Sequence, residues 1–292
     1  MALKIISAEE RMNRPRGIKG AIFGPHGVGK TSLLWTLPQE QTCFISIEAG
    51  DLAIDGKGED DRVWNGASIE PRTWQECVDI ACLFGGPDPS KRDDQNYSQA
   101  HYKYLCETYP DIVAKRDAYR IHFWDSISVA SRLCWQWATG QPEAFSEKTG
   151  AKDTRGAYGL IGREIVEWLT HIQHTEGKIV WVVGGLDPND DFSNPWKLQI
   201  EGAQGANKLP GIFDEIISMV MMPAEDGGKS YRAFVTSLEN PWKYPAKDRS
   251  GCLEMIEPPH LGMLIKKIEA GKRLIQPESY NYTIPETKTQ EA

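Results

Sequence analysis

Short unbroken apolar runs alternate with segments of helical apolar spacing along most of this chain. Ile18-Lys19-Gly20-Ala21-Ile22-Phe23 reads as a strand, and a glycine-rich segment follows it directly. A helix is predicted from Lys30 to Leu37, with Pro38 stopping it because proline has no N–H to donate. Thr42 to Ile47 is a second strand, ending at Glu48. Thr73 to Phe84 has helical spacing, with Thr73 placed to cap its N-terminus. A further helix is expected over Tyr102–Tyr109, ending near Pro110, and a strand over Tyr119–Trp124, closing on Asp125-Ser126.

The second half continues the alternation. Val129–Trp137 and Ala157–Thr175 are predicted helices; in the latter Leu160, Ile161, Ile165, Val166, Trp168, Leu169 and Ile172 form one apolar stripe. Lys178–Val183 is an apolar strand running into Gly184-Gly185. Residues 138–156 and 186–210 read as two long polar loops. Glu215–Met222 and Tyr231–Leu238 look like antiparallel strands joined by a turn at Glu225-Asp226-Gly227-Gly228. The run Glu59-Asp60-Asp61-Arg62 marks a solvated loop. The expected class is α/β: a mostly parallel twisted sheet, helices on both faces, antiparallel strands toward the C-terminal end. The expected division is an N-terminal arm over residues 1–16, one domain over 17–270 and a flexible tail over 271–292.

Composition narrows the classes. At 292 residues, 40% hydrophobic and 25% charged, the chain suits one large globular domain. No run of 18 apolar residues is present, and the N-terminus has no apolar core of a signal peptide, so no membrane partner is expected. The net charge of −8 excludes a uniformly basic nucleic-acid coat but leaves room for a local basic strip. Six scattered cysteines lack C-x-x-C spacing and read as reduced core residues of a cytoplasmic protein. His171 and His174 share a helix face, but no third ligand accompanies them. Ten tryptophans, several in polar segments, point to exposed stacking surfaces.

The chemistry lies in Gly24-Pro25-His26-Gly27-Val28-Gly29-Lys30-Thr31, which fits the phosphate-binding pattern G-x-x-x-x-G-K-[ST] completely. Its glycines let the backbone close around an anion, and its N–H groups with the next helix N-terminus form the cradle, Ser32 included. Lys30 is expected to reach the β- and γ-phosphates, and the Thr31 hydroxyl to ligate Mg²⁺. Asp125, at the end of an apolar strand, is expected to hold the same ion through water. Glu48, at the end of another, could act as general base toward water.

The order Lys30, Glu48, Asp125-Ser126 resembles that of the RecA-like recombinase ATPases. The closer resemblance, over about residues 15–270, is to a phage and prophage family of core-only RecA-like ATPases associated with single-strand annealing and recombination. It is carried by Gly24–Leu34, Trp124–Ser128, Asp153–Gly159, Leu209–Glu215 and Tyr244–Arg249. This resemblance implies a RecA-type core and Mg²⁺ with ATP held between protomers of a homo-oligomer in the bacterial host cytoplasm. It implies DNA-binding loops over 138–156 and 186–208. Single-stranded DNA would then meet Lys148, Lys152 and Arg155 on the first, and Phe192, Trp196, Lys197 and Lys208 on the second, cations and rings that suit sequence-tolerant stacking. Lys247 and Arg249 would reach the neighbouring protomer's ATP. A single-strand-binding protein is a further partner the resemblance allows. The sequence departs from RecA where a polar sensor residue should end strand 178–183: Gly184-Gly185 stand there, and Asp187 is the first side chain able to act. Two alternatives remain open: an assembly ATPase with a protein partner and no DNA, and a small-molecule kinase, for which the single arginine of loop 138–156 is a poor lid.

Overall fold

The computed structural model describes residues 5–14, 17–55, 63–224 and 228–274. The predicted acidic loop at Glu59–Arg62, Pro15-Arg16, most of the Glu225–Gly228 turn and the segment from residue 275 lie outside the described residues.

The apolar runs form strands β1 (Lys19–Gly24), β2 (Thr42–Ser46), β3 (Ala67–Ile69), β4 (Ile121–Asp125) and β5 (Ile179–Pro188). Farther on come β6 (Trp196–Leu198), β7 (Glu215–Met222), β8 (Tyr231–Val235), β9 (Lys247–Asp248) and β10 (Ile256–Glu257). Among the described residues these make one sheet with the order β10-β8-β7-β1-β5-β4-β2-β3, while β6 pairs with β5 and β9 with β7. The pairings β7–β1–β5–β4–β2–β3 are parallel, and β8, β10, β6 and β9 join antiparallel.

Alternate residues of the central strands feed two separate cores, because successive side chains point to opposite faces. On one face Phe23, Ile45, Trp124 and Val182 pack beneath α2 (Trp74–Gly85), α5 (Ile127–Ala138) and α6 (Thr154–Gln173). On the other, Ile22, Phe44, Phe123 and Trp181 meet the turn of helix after β1 and α8 (Leu261–Ala270). Burial on both faces explains why these strands read as unbroken apolar runs. Trp124, Trp168 and Trp181, read in apolar strands and an apolar helix stripe, are fully buried. Trp168 stacks edge-on against Trp74 and Trp124 and donates its indole N–H to the Cys77 carbonyl at 3.1 Å. The cysteines are free thiols, all buried but Cys106, which is half-buried. His171 stacks on Tyr97 at 4.2 Å, and burial lowers its pKa to about 4.

Several elements differ from expectation. The helix after β1 is a tight 3₁₀ run, Thr31–Thr36, closed by Leu33 N–H to the Lys30 carbonyl. Pro110 does not end a region of helix: after α3 (Gln99–Thr108) it opens α4 (Pro110–Arg116), a first-turn position where its missing N–H is not needed. Residues 138–156 are not a continuous loop. Phe145 and Lys152 pair in an isolated antiparallel bridge, and Asp153 caps α6 by accepting from Arg155 N–H and Gly156 N–H. The segment 186–210 is likewise structured: β5 continues through the glycines to Pro188, β6 folds back on it, and α7 (Ala203–Ile212) follows. Gly205, Pro210 and Gly211 hid α7 from a propensity reading, and its packing on α6 supplies what propensity lacks.

Candidate nucleotide site at the sheet edge

Strand register assembles the site. Gly24 is level with Gly185, and Ser46 with Asp125, which is level with Val183. The C-terminal ends of β1, β2 and β4 therefore finish beside Val183–Gly185 of β5, at the edge where ligands meet parallel α/β sheets.

The loop Gly24–Thr31 leaves β1 there. Gly27 and Gly29 have φ of +75° and +101°, conformations that residues with a Cβ rarely adopt. Pro25, His26 and Gly27 are exposed, while Val28 is buried as the loop's anchor. Lys30 folds back across the loop, its ammonium donating to the carbonyls of Gly24 at 2.8 Å and Pro25 at 3.0 Å. Burial lowers the Lys30 pKa, against the opposing pull of the Asp125 and Glu48 carboxylates. Thr31 opens the 3₁₀ run and donates its hydroxyl to Asp125 Oδ2 at 2.5 Å; Ser32 beside it is exposed.

Asp125 is buried, and burial pushes its pKa up to about 6, with Glu48 reinforcing the shift and the Thr31 hydrogen bond and Lys30 resisting it. A buried carboxylate raised this far lacks enough positive charge beside it. A hydroxyl and a carboxylate oxygen side by side are the hard donors that Mg²⁺ takes, and Gly50 faces the pair, a Cβ there standing 3.4 Å from the Thr31 hydroxyl and 3.8 Å from Asp125 Oδ2. Thr31 and Asp125 thus fit Mg²⁺. Among the described residues no group of three or more His, Cys, Asp or Glu could hold a metal; an ion held by Thr31 and Asp125 would take its other ligands from phosphate and water.

Glu48 is exposed at the end of β2. Its N–H and that of Ile47 both donate to the Asp125 carbonyl, at 3.0 and 2.6 Å, and Ser126 donates its hydroxyl to Glu48 Oε2 at 2.6 Å. Lys30 and Glu48 line a cavity of about 360 Å³ with His26, Arg132, Asp187 and Gln199. Sequence reading missed Arg132 and Gln199. Arg132 lies on α5, one turn beyond Ser128, a position with no motif of its own. Arg232 of β8 was missed too; it lies against the loop, its Nε 3.6 Å from where a Gly29 Cβ would be.

The remaining expected residues lie elsewhere. Lys148, Lys152 and Arg155 are exposed around the Phe145–Lys152 bridge. Phe192 is 94% exposed at the tip of the β5–β6 hairpin, and Lys197 is exposed on β6. Trp196 is committed within the chain: it stacks on Tyr244 at 4.5 Å and donates to the Trp242 carbonyl at 2.9 Å. Lys208 sits on α7 rather than on a loop. Lys247 and Arg249 stand at the opposite end of the sheet, since β9 pairs with the first residues of β7. Lys247 donates to the carbonyls of Pro210 and Phe213, at 2.6 and 2.7 Å, and Arg249 pairs with Asp214 at 2.7 Å.

Beside them Glu215 is buried against Asp248. Ser250 Oγ, Gly251 N–H and Leu253 N–H already donate to Asp248, so the proton between the two acids belongs to Glu215. Burial first, then Asp248, pushes the Glu215 pKa to about 8.

A phosphate-cradling loop after β1, a Thr–Asp pair suited to Mg²⁺ and a mostly parallel sheet define a P-loop nucleoside-triphosphate-binding fold. The chain matches the AAA domain family over residues 16–250 and belongs to it. A comparison with curated proteins returns no match. No helix among the described residues is long and apolar enough to cross a membrane.

Proposed function

We propose that this chain hydrolyses ATP with Mg²⁺ and acts as a RecA-like protein of phage DNA recombination and single-strand annealing, binding single-stranded DNA as an oligomer in the bacterial cytoplasm. The observation that carries the hydrolytic part is the Ser126–Glu48 hydrogen bond beside Lys30. One Glu48 oxygen is occupied by the Ser126 hydroxyl, which leaves the other to accept a proton from water approaching the γ-phosphate. Lys30 would exchange its two carbonyl partners for phosphate oxygens, a stronger charge-assisted pairing. Bound Mg²⁺ supplies charge neutralisation between the phosphates, and Thr31 and Asp125 are the residues that would hold it. The chemistry is in-line attack by water, giving ADP and inorganic phosphate.

The DNA part is supported by the exposed ring of Phe192 and the exposed cations Lys148, Lys152, Arg155 and Lys197, a combination that serves strand stacking. Lys208 belongs to the same proposal from α7. Lys247 and Arg249 are proposed to act toward a neighbouring protomer's nucleotide, which requires them to leave their present partners. Residues 17–270 are proposed to act as one ATPase domain. The net charge of −8 favours a second reading, an assembly ATPase with a protein partner.

Steady-state ATP turnover, with and without single-stranded DNA at two salt concentrations, tests this. Stimulation that fades as salt rises is expected from phosphate contacts. Turnover indifferent to DNA, with no DNA binding, would transfer the function to the second reading. No turnover at all would remove the ATPase assignment.

A further inference from the structure

We propose that Arg132 is a catalytic residue of its own chain's nucleotide site, donating its guanidinium to the γ-phosphate as water attacks. The proposal rests on the hydrolytic reading above and deepens it by naming a cation that acts within the same chain.

Positive charge is in short supply at this site. Lys30, Arg132 and Lys197 line the cavity beside the phosphate loop opposite the carboxylates of Glu48, Asp187 and Glu201, so the cavity has no cationic surplus. A γ-phosphate adds negative charge, which spreads over its equatorial oxygens in the transition state. Mg²⁺ and Lys30 offset part of it. Lys247 and Arg249 cannot serve their own nucleotide, because β9 pairs at the opposite end of the sheet.

Helix α5 delivers Arg132 to this cavity. Its N-cap, Ser126, accepts from Val129 N–H at 3.3 Å and donates to Glu48, so the helix starts beside the proposed base. Ser128, one turn before Arg132, accepts from Gly185 N–H at 2.9 Å, and Gly185 is level with Gly24 of the phosphate loop. Ser131 accepts from Glu201 N–H at 3.0 Å. Ser128, Ser131 and Arg132 are spaced three and four apart on one helix face, and that face lines the cavity. Helical side chains lean toward the N-terminus of their helix, which here is the Glu48 end.

The guanidinium is free to act. Arg132 is exposed, and among the described residues its side chain has no hydrogen-bond or ion-pair partner. Its helix, in contrast, is fixed by packing on β5 and α6. A planar fork of N–H donors on a fixed helix fits two phosphate oxygens, which the point charge of Lys197 on the short strand β6 does not. In the assisted step the water oxygen bonds to the γ-phosphorus and a water proton passes to Glu48. The bond from phosphorus to the bridging oxygen breaks, and ADP leaves with its electron pair. Arg132 holds equatorial oxygens throughout and exchanges no proton.

The test compares wild type with Arg132→Ala and Arg132→Lys in ATP turnover. It also compares their binding of ADP with and without aluminium fluoride, which stands in for the transferring phosphoryl group. Arg132→Ala should lower kcat by about 10²- to 10³-fold at nearly unchanged KM, as for one lost transition-state donor. It should bind ADP normally and lose affinity for ADP with aluminium fluoride. Arg132→Lys should recover part of kcat, since it keeps the charge and loses the fork. Mixing Arg132→Ala with Lys30→Ala should restore no turnover, because one chain must supply both side chains. An unchanged kcat in Arg132→Ala, or turnover regained in the mixture, would overturn the proposal and leave the ATPase reading standing. A wild type without ATP turnover would overturn that reading, and this inference with it.

Discussion

The Ser126 hydroxyl donates to Glu48 Oε2 at 2.6 Å, so the carboxylate ending β2 is aimed by the residue that follows the carboxylate ending β4. Parallel pairing of β2 with β4 makes this possible, because it places Ser46 level with Asp125. Glu48→Gln keeps the shape and the Ser126 contact but cannot take a proton. ATP binding should persist and turnover should fall by roughly 10²- to 10⁴-fold, as for a lost general base. Calorimetric binding alongside a phosphate-release assay separates the two effects. A joint loss of both would make Glu48 a structural residue.

Lys30→Ala removes the cation now held by the Gly24 and Pro25 carbonyls. ATP binding should drop below detection in the same calorimetric assay, while thermal unfolding shifts little because the side chain is only half-buried. Unchanged turnover would rule out the P-loop assignment.

Asp125→Asn preserves an acceptor for the Thr31 hydroxyl and removes the charge. It should raise the Mg²⁺ concentration needed for half-maximal turnover, with ATP binding in excess chelator unchanged. An unaltered Mg²⁺ dependence would take Asp125 out of the ion's shell.

Glu215 gives a pH test remote from the nucleotide. Its ordinary pKa of 4.5 is raised to about 8 by burial, by Asp248 and by Asp214. The folded chain therefore holds a proton that the unfolded chain releases between these values. Its contribution to stability is complete below about 4.5 and is lost as pH rises through about 8. Urea midpoints at pH 6 and pH 9 should fall more steeply with pH for wild type than for Glu215→Gln, whose amide can still donate to Asp248. Parallel midpoints would place the proton elsewhere.

Much of this architecture was readable because β1, β2, β4 and β5 are buried on both faces, and such strands appear as apolar runs ending in informative residues: Gly24, Glu48, Asp125 and Gly185. The phosphate loop was readable because its chemistry is local. What escaped was set by tertiary contacts. Helix α7 contains two glycines and a proline and holds its form against α6. Gln199 acquires its position only through the β5–β6 pairing and the missing side chain at Gly185. Trp196 looked like an available stacking ring in the sequence, but its face is already taken by Tyr244.

Helix α8 braces the nucleotide loop from behind. Leu261, Leu264, Ile265 and Ile268 pack with Leu33, Leu34 and Leu37. A Cβ on Gly262 would come within 2.1 Å of the Thr36 carbonyl oxygen, so the two helices touch backbone to backbone. The family match ends at residue 250, eleven positions before α8 begins. A protein trimmed to the matched boundary would keep every residue of the phosphate loop and lose the wall it leans on. Recombinant design for this chain should therefore follow the hydrophobic core to Ala270 rather than the edge of the motif.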